Sequence, residues 1–592
     1  QNFIQFQLVG SPKNRLGIGA KVQIETYDGK QFLENYTTRG YQSSVEPKLH
    51  FGLSNISKVK KAIITWPDNK VSVLHNLKAN QLVRVDHKNA VFSVPVAKDS
   101  AKTIFSEISS AKIDFKHEEN HYNDFAIESL LPHKMSQFGP ALAVADINGD
   151  GFEDFYVGGA SGKPGALYTQ DASGNFTRST NQPWQSDAIH EDLDAVFFDA
   201  DNDGDLDLYI VSGGNEWKQG HPYYQDRLYL NTNGRFSHDF KSLPKIPISG
   251  SCVRPFDFDQ DGDLDLFVGS RLHPQKYPFL ESSLLLENRN GVFKDVTPKV
   301  APELSEAGMV TDAIWTDFDS DGQTDLIVVG EWTSIQFFKN DRGKLTKENR
   351  IRSKTEGWWN SIAQADIDND GDMDYVVGNL GLNYKYKASR EAPFEVYATD
   401  FDDNGTNDVV LGYYNEGNLF PLRGRECSSQ QMPFIKKKFP TYHSFGSANL
   451  LQVYGQEKLE KALHKSAYTF ASICLENLGV GRFKTHQLPN SAQISSINAI
   501  QIQDFDKDGN QDILIAGNLY QSEVETPRND ASIGLLLKGS GDFSFEPVLL
   551  NKSGVLLDTD VKKMKTISLG GGKPGILVAP NSSSLKLLSY QP

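Results

Sequence analysis

The sequence predicts an all-β protein built on a repeat. Three observations carry this. A nine-residue acidic pattern recurs seven times, a short apolar stretch flanks most copies, and apolar residues at helical spacing are almost absent. The pattern is D-x-[DN]-x-[DN]-G-x-x-D, and its start-to-start intervals are 53, 58, 60, 49, 34 and 104 residues. The stretches after it, such as DFYVGG, DLYIVSGG and DLIVVG, are short, β-branched or aromatic and closed by Gly, as strands ending in turns are. Units of about 50 residues with about four strands suit the blades of a propeller, with a sandwich array as the alternative.

Each acidic copy reads as a cage for a hard divalent cation. Ca²⁺ takes about 6–8 oxygen ligands in flexible geometry. Positions 1, 3 and 5 of a tight loop turn side chains into one concavity, position 7 offers a carbonyl, and position 9 closes the site. Gly at position 6 permits the sharp turn. The first copy offers Asp146, Asn148, Asp150, the Phe152 carbonyl and Asp154. The second offers Asp199, Asp201, Asp203, Asp205 and Asp207, and the third Asp257, Asp259, Asp261, Asp263 and Asp265. The fourth has Asp317, Asp319, Asp321, Gln323 and Asp325, and the fifth Asp366, Asp368, Asp370, Asp372 and Asp374. The sixth has Asp400, Asp402, Asn404, Thr406 and Asp408, and the last Asp504, Asp506, Asp508, Asn510 and Asp512.

A helix-flanked calcium loop would need Glu at position 12, where the fifth copy has Val377 inside a strand stretch. Mg²⁺ demands stricter geometry, and Zn²⁺ wants His or Cys. Asx-turns alone would explain one copy, but not seven with a fixed Gly and a fixed ninth residue. Seven Ca²⁺ would bring the formal charge of −16 to about −2.

That acidity argues against nucleic-acid binding. Three cysteines, Cys252, Cys427 and Cys474, match no disulfide scaffold, zinc or redox spacing and read as buried thiols. No apolar run is long enough to span a bilayer as a helix. The start, without Met or a basic-then-apolar leader, reads as that of a mature or trimmed chain. No nucleophile elbow, phosphate loop or CxxC appears, and no carboxylate pair outside the cages is singled out for acid–base work. The chain is therefore expected not to be an enzyme.

The acidic loop followed by VGG resembles the FG-GAP/VCBS repeat of integrin-α-type β-propellers, from about Gly139 to Gly517. The N-terminal stretch resembles the ASPIC/UnbV domain through NRLGIGAKVQI, RGYQSSVEPKLHFGL and IITWPDNKV. The combination is similar to secreted bacterial surface proteins related to cartilage acidic protein. The resemblance implies a calcium-binding propeller used in adhesion or recognition of a protein or glycan partner. It also implies a secreted or cell-surface location, as an accessory lipoprotein or subunit beside SusC/SusD-type outer-membrane importers. A polysaccharide-active propeller hydrolase or lyase is the alternative.

The expected architecture is a small ASPIC/UnbV β domain at 1–88, a linker with a short helix at 89–135, and a seven-bladed propeller at 136–592. A metal-free blade ends it, and a partly helical insertion spans about 427–475. The copy at Asp400 lies too close to Asp366 for a full blade between them, so it is placed on a later hairpin of the same blade. Arg271, Trp332, Trp358 and Trp359 are candidates for binding a ligand on one propeller face, with packing between blades as the other reading. Arg423 and Arg425 are weighed the same way, as contacts for an acidic ligand or as solvated charges.

Overall fold

A computed structural model describes residues 1–92, 102–109 and 112–590. The chain divides into two compact units, Gln1–Ala101 and Lys102–Pro592.

The first unit packs two sheets face to face. One has three strands, ordered Lys48–Ser54, Asn2–Val9, Gln81–Asp86, with the last two parallel. The other has five and holds two hairpins, Lys21–Glu25 with Lys30–Glu34 and Lys58–Thr65 with Lys70–Lys78. Alternation puts Ile4, Phe6 and Leu8 opposite Val22, Ile24 and Ile64 in a closed core. The Asn14 side chain bonds Ile18 through both its amide and its carbonyl, and Asn35 holds the Leu16 and Gly17 carbonyls. These contacts account for the run of turn residues before the second strand without invoking a ligand.

The second unit is a seven-bladed propeller. Its blades are four-stranded antiparallel sheets whose first strands are Leu142–Ala145, Glu191–Phe198, Ser249–Phe256, Met309–Thr316, Ser361–Ala365, Ala499–Gln503 and Val561–Leu569. Each first strand touches the next, and the seventh returns to the first, so the ring is closed. Apolar residues on facing blade surfaces fill the spaces between blades, as with Tyr209, Val211, Val253 and Val268 between blades 2 and 3.

Three expectations change here. Residues 89–135 are not simply a linker: Phe105–Glu107 is the outer strand of blade 7, paired with Lys586–Tyr590. Phe105 is fully buried against Phe505 and Tyr590, which is why the strand docks. Residues 93–101 and 110–111 of that segment lie outside the described residues, and among the described ones the helical turn wholly within it is the 3₁₀ turn Asp124–Ala126.

The insertion is larger than 427–475. Blade 5 pairs Asp374–Gly378 directly with Ile473–Asn477, and an additional four-stranded sheet enters between them. Its strands are Asn418–Pro421, Asp408–Asn415, Phe394–Thr399 and Leu463–Ala467. Short helices from Arg425 to Lys461 cover it through Met432, Ile435, Leu450 and Val453. The last of these helices is Gln456–Lys461, and the chain then runs into the strand Leu463–Ala467. The copy at Asp400 therefore belongs to this inserted sheet, not to a later hairpin of blade 5.

Ring closure by a distant strand gives a direct test. A propeller fragment starting at residue 112 should melt well below one starting at 102, because it bares the Phe105 pocket. The expected loss is about 3–5 kcal/mol in thermal or denaturant unfolding.

Candidate functional site

All seven acidic segments form one kind of loop. Six join the first and second strands of blades 1 to 6, so they crown one face of the ring, and the seventh joins two strands of the inserted sheet. Position 6 is a left-handed Gly each time, with φ from 84° to 100°. Position 4 is left-handed too, from φ 59° at Ser320 and Asn369 to 70° at Gly149, a requirement the acidic pattern alone does not reveal.

The loop at Asp366 shows the frame. Asp366 accepts from the N–H groups of Asp370 and Gly371, both at 3.1 Å, and Asp370 accepts from Asp372 N–H at 2.9 Å. Asp374 Oδ2 accepts from Ile367 N–H at 2.9 Å, and its Oδ1 from Asn477 N–H at 2.8 Å. Some carboxylate oxygens have no such partner, Asp199 Oδ1, Asp325 Oδ2 and Asp408 Oδ1 among them, and position 3 recurs most often. The Oδ1 atoms of Asp201, Asp259, Asp319, Asp368 and Asp402 are buried without a hydrogen-bond partner.

Ligand atoms of Asp257, Asp259 and Asp265 lie within 4.8 Å of one another, as do those of Asp317, Asp319 and Asp325 and of Asp366, Asp368 and Asp374. Asp199, Asp201 and Asp203 converge likewise. Burial pushes the ninth carboxyl up to about 7 in Asp154, Asp207, Asp265, Asp325, Asp374 and Asp408. A central cation would complete the unpartnered oxygens and favour ionisation of the ninth carboxylate. The donor set is all oxygen, so it fits a hard cation.

The sequence reading missed a second repeat that serves these loops. The third strand of blades 2, 3 and 4 ends in Asn-x-x-Gly: Asn231 to Gly234, Asn288 to Gly291, Asn340 to Gly343. The Asn288 amide donates to Leu264 O of its own loop and to Ala200 O of the previous blade's loop, and its carbonyl accepts from Gly291 N–H. Asn231 and Asn340 repeat all three bonds. In blade 5, Asn477 likewise reaches Phe318 O of the loop before it. A Cβ at Gly291 or Gly343 would meet Asp201 or Asp259 at 2.9 Å, so each turn wedges against the neighbouring loop's third carboxylate. The Asn288→Ala variant should lose about 3 kcal/mol of stability by chemical denaturation, since two buried carbonyls lose their donor.

Residues 10–91 match the family model described as ASPIC and UnbV, and residues 146–210 and 317–377 match that of the FG-GAP-like repeat. Both FG-GAP-like spans begin on the first carboxylate of a loop. The chain carries an ASPIC/UnbV domain and FG-GAP-like repeats.

Comparison with curated proteins returns no match. Among solved structures, a chain from BBS1N in complex with ARL6DN is 9% identical, covering 83% of this chain and 98% of that one, with a TM-score of 0.38. YCF48 bound to D1 peptide is 9% identical, covering 78% and 95%, at 0.34. The Dos1 propeller is 10% identical, covering 77% and 94%, at 0.36.

The FG-GAP-like propeller also encloses a central cavity of about 500 Å³. Its acids are held by cations. Arg254 bridges Asp194, at 2.7 Å, and Asp312, and Lys563 adds a second contact to Asp194 at 3.1 Å. Glu331 pairs with Arg271, lies 3.3 Å from His133 and accepts from Tyr277 OH at 2.5 Å. Burial opposes ionisation of Glu331, but Arg271 and His133 outweigh it and hold the carboxyl down to about 2.

The four candidate ligand-binding residues separate here. Arg271 and Trp358 line this cavity. Trp332 and Trp359 do not belong to an exposed binding face: they are 3% and 0% exposed. The inserted sheet covers Trp332 by stacking Phe394 on it, and Trp359 packs with Phe318 and Ile362 between blades 4 and 5. Trp358 is itself only 3% exposed, against Phe394 and Phe470. Arg423 is buried on Glu523, Tyr386 OH and the Leu131 carbonyl, and Arg425 pairs with Glu426, so neither is a solvated charge. Cys252 and Cys474 are buried thiols, whereas Cys427 is half-buried and donates to Glu525.

A further cluster, His117, Glu119 and Glu191, brings three buried atoms without partners together. His117 Nδ1 accepts from Ser582 N–H at 3.1 Å, so in the neutral ring the proton sits on Nε2, facing the two carboxyls. That is a hydrogen-bond donor among acceptors rather than a metal-ligating lone pair.

Proposed function

We propose that this chain is a calcium-stabilised binding or scaffold module at the cell surface. The propeller recognises a protein or glycan partner, as an accessory lipoprotein or subunit of an outer-membrane importer of the SusC/SusD type. The observation that carries the calcium part is the third-position carboxylate oxygen, buried and unpartnered in Asp201, Asp259, Asp368 and Asp402. Positions 1, 3, 5 and 9 and the carbonyl of position 7 would hold each ion, which supplies charge compensation and cross-links two strands. The surface location rests on the family resemblance. Among the described residues no helix is long and apolar enough to cross a membrane.

The cavity speaks against a hydrolase or lyase. A glycosidase needs one carboxyl that holds its proton near neutral pH and one that does not. Asp194 and Glu331 are both held well below the ordinary range by their cations, and Asp312 is paired to Arg254. Elemental analysis after dialysis against calcium tests the metal reading: several ions per chain support it and none overturns it. Incubation with a panel of polysaccharides tests the rest. Release of reducing ends that disappears in Asp312→Asn would replace the scaffold reading with a catalytic one.

A further inference from the structure

The blade loops share a frame but differ in one neighbour. In each of blades 1 to 6 a third-strand residue clamps the ninth carboxylate through its backbone N–H, as Asn340 does for Asp325 and Gly539 for Asp512, at 2.7 and 2.9 Å. The residue just before that clamp is Thr169, Leu230, Glu287, Lys339, Glu476 and Lys538 in chain order. In blades 3 and 5 this place adds an acid. In blades 4 and 6 it puts an ammonium into the loop.

The contacts of the two lysines are alike. Lys339 Nζ lies 2.6 Å from Asp319 Oδ2 and 2.7 Å from Asp321 Oδ2, the third and fifth loop positions. Arg350 adds a second cation to Asp319 at 2.8 Å. Lys538 Nζ bridges the same two positions of its own loop, touching Asp506 and lying 2.7 Å from Asp508. The inserted sheet has a lysine nearby as well, but Lys458 pairs with Asp403, at position 4, outside the ligand set.

We propose that Lys339 and Lys538 act as built-in cations, so that the loops of blades 4 and 6 are closed without calcium and the other five bind it. This deepens the calcium reading above and rests on it. An ammonium shared by two ligand carboxylates already supplies the compensation that a divalent ion would bring. Calcium can enter only by expelling the ammonium or by lying beside it against like charge, which lowers affinity at least about a hundredfold. The seven loops that look equivalent in the acidic pattern therefore fall into two classes, set by a residue outside it.

The test uses the full chain, stripped of metal and titrated with calcium under native mass spectrometry. The wild type should take up five ions tightly, Lys538→Met should take up six, and Lys339→Met with Arg350→Met and Lys538→Met should take up seven, since Met keeps an apolar stem and removes the charge. Seven tight ions in the wild type, or no gain in Lys538→Met and in the triple variant, would overturn the proposal while leaving the calcium reading intact. No bound ion in any loop would overturn both. Crystals of the wild type grown with calcium decide independently of the variant's folding. Anomalous density is expected in the loops at Asp146, Asp199, Asp257, Asp366 and Asp400. Density of equal strength in the loops at Asp317 and Asp504 would refute the assignment.

Discussion

Chelation of divalent cations is expected to lower the melting temperature of the whole chain by on the order of 10 °C, reversibly on adding calcium back. Each ion bound at about a hundred times its dissociation constant stabilises the folded state by about 2.7 kcal/mol. Five such sites give more than about 10 kcal/mol, and a unit of this size has an unfolding entropy near 1 kcal/mol per degree. The effect should be cooperative around the ring, because the loops are tied to one another. Asn202 donates to Asp263 at 2.6 Å and Ser320 to Asp372 at 3.0 Å, each from position 4 of one loop to position 7 of the next. Differential scanning calorimetry with and without EDTA measures it. An unchanged transition would mean that hydrogen bonds alone hold the loops.

The second large effect is expected at Glu331. Replacing it with Gln leaves the Arg271 guanidinium buried without its counter-charge, which costs about 3–5 kcal/mol. Pairing Glu331→Met with Arg271→Met should recover much of the loss, because the burial penalty of both charges disappears together. The pH dependence has a defined sign. The folded carboxyl titrates near 2 instead of 4.5, so the native state binds fewer protons than the unfolded chain in between. Its contribution is full above about pH 4.5 and is lost as pH falls towards 2. Acid unfolding of the wild type should contain that segment, and unfolding of Glu331→Gln should lack it.

The repeat made most of the propeller readable. Seven acidic copies with strands on either side located the loops, the blade pitch and a last blade without an acidic loop, because a tight turn between strands is a local matter of Gly, Asp and period-two apolar residues. What the pattern left unread is non-local. Phe105–Glu107 is an unremarkable triplet until it meets Lys586–Tyr590. The strands around Asp400 carry the blade signature yet pair with Leu463–Ala467 instead of joining the ring. Asn288 looks like any turn residue, and its bond to Ala200 appears only when two blades are side by side. Trp332 looked available for a ligand because nothing near it in sequence announces Phe394 as its cover.

The closing strand also has a consequence in time. During synthesis Phe105 leaves the ribosome about 480 residues before its partner strand, roughly half a minute to a minute and a half at ordinary elongation rates. Throughout that interval its edge and its apolar side chain have no mate, while blades 1 to 6 can already assemble from neighbours in the chain. Blade 7 is therefore completed only by the capture of a segment made long before its partner. A cell that produces this protein must keep that short strand from pairing elsewhere until Lys586–Tyr590 arrives.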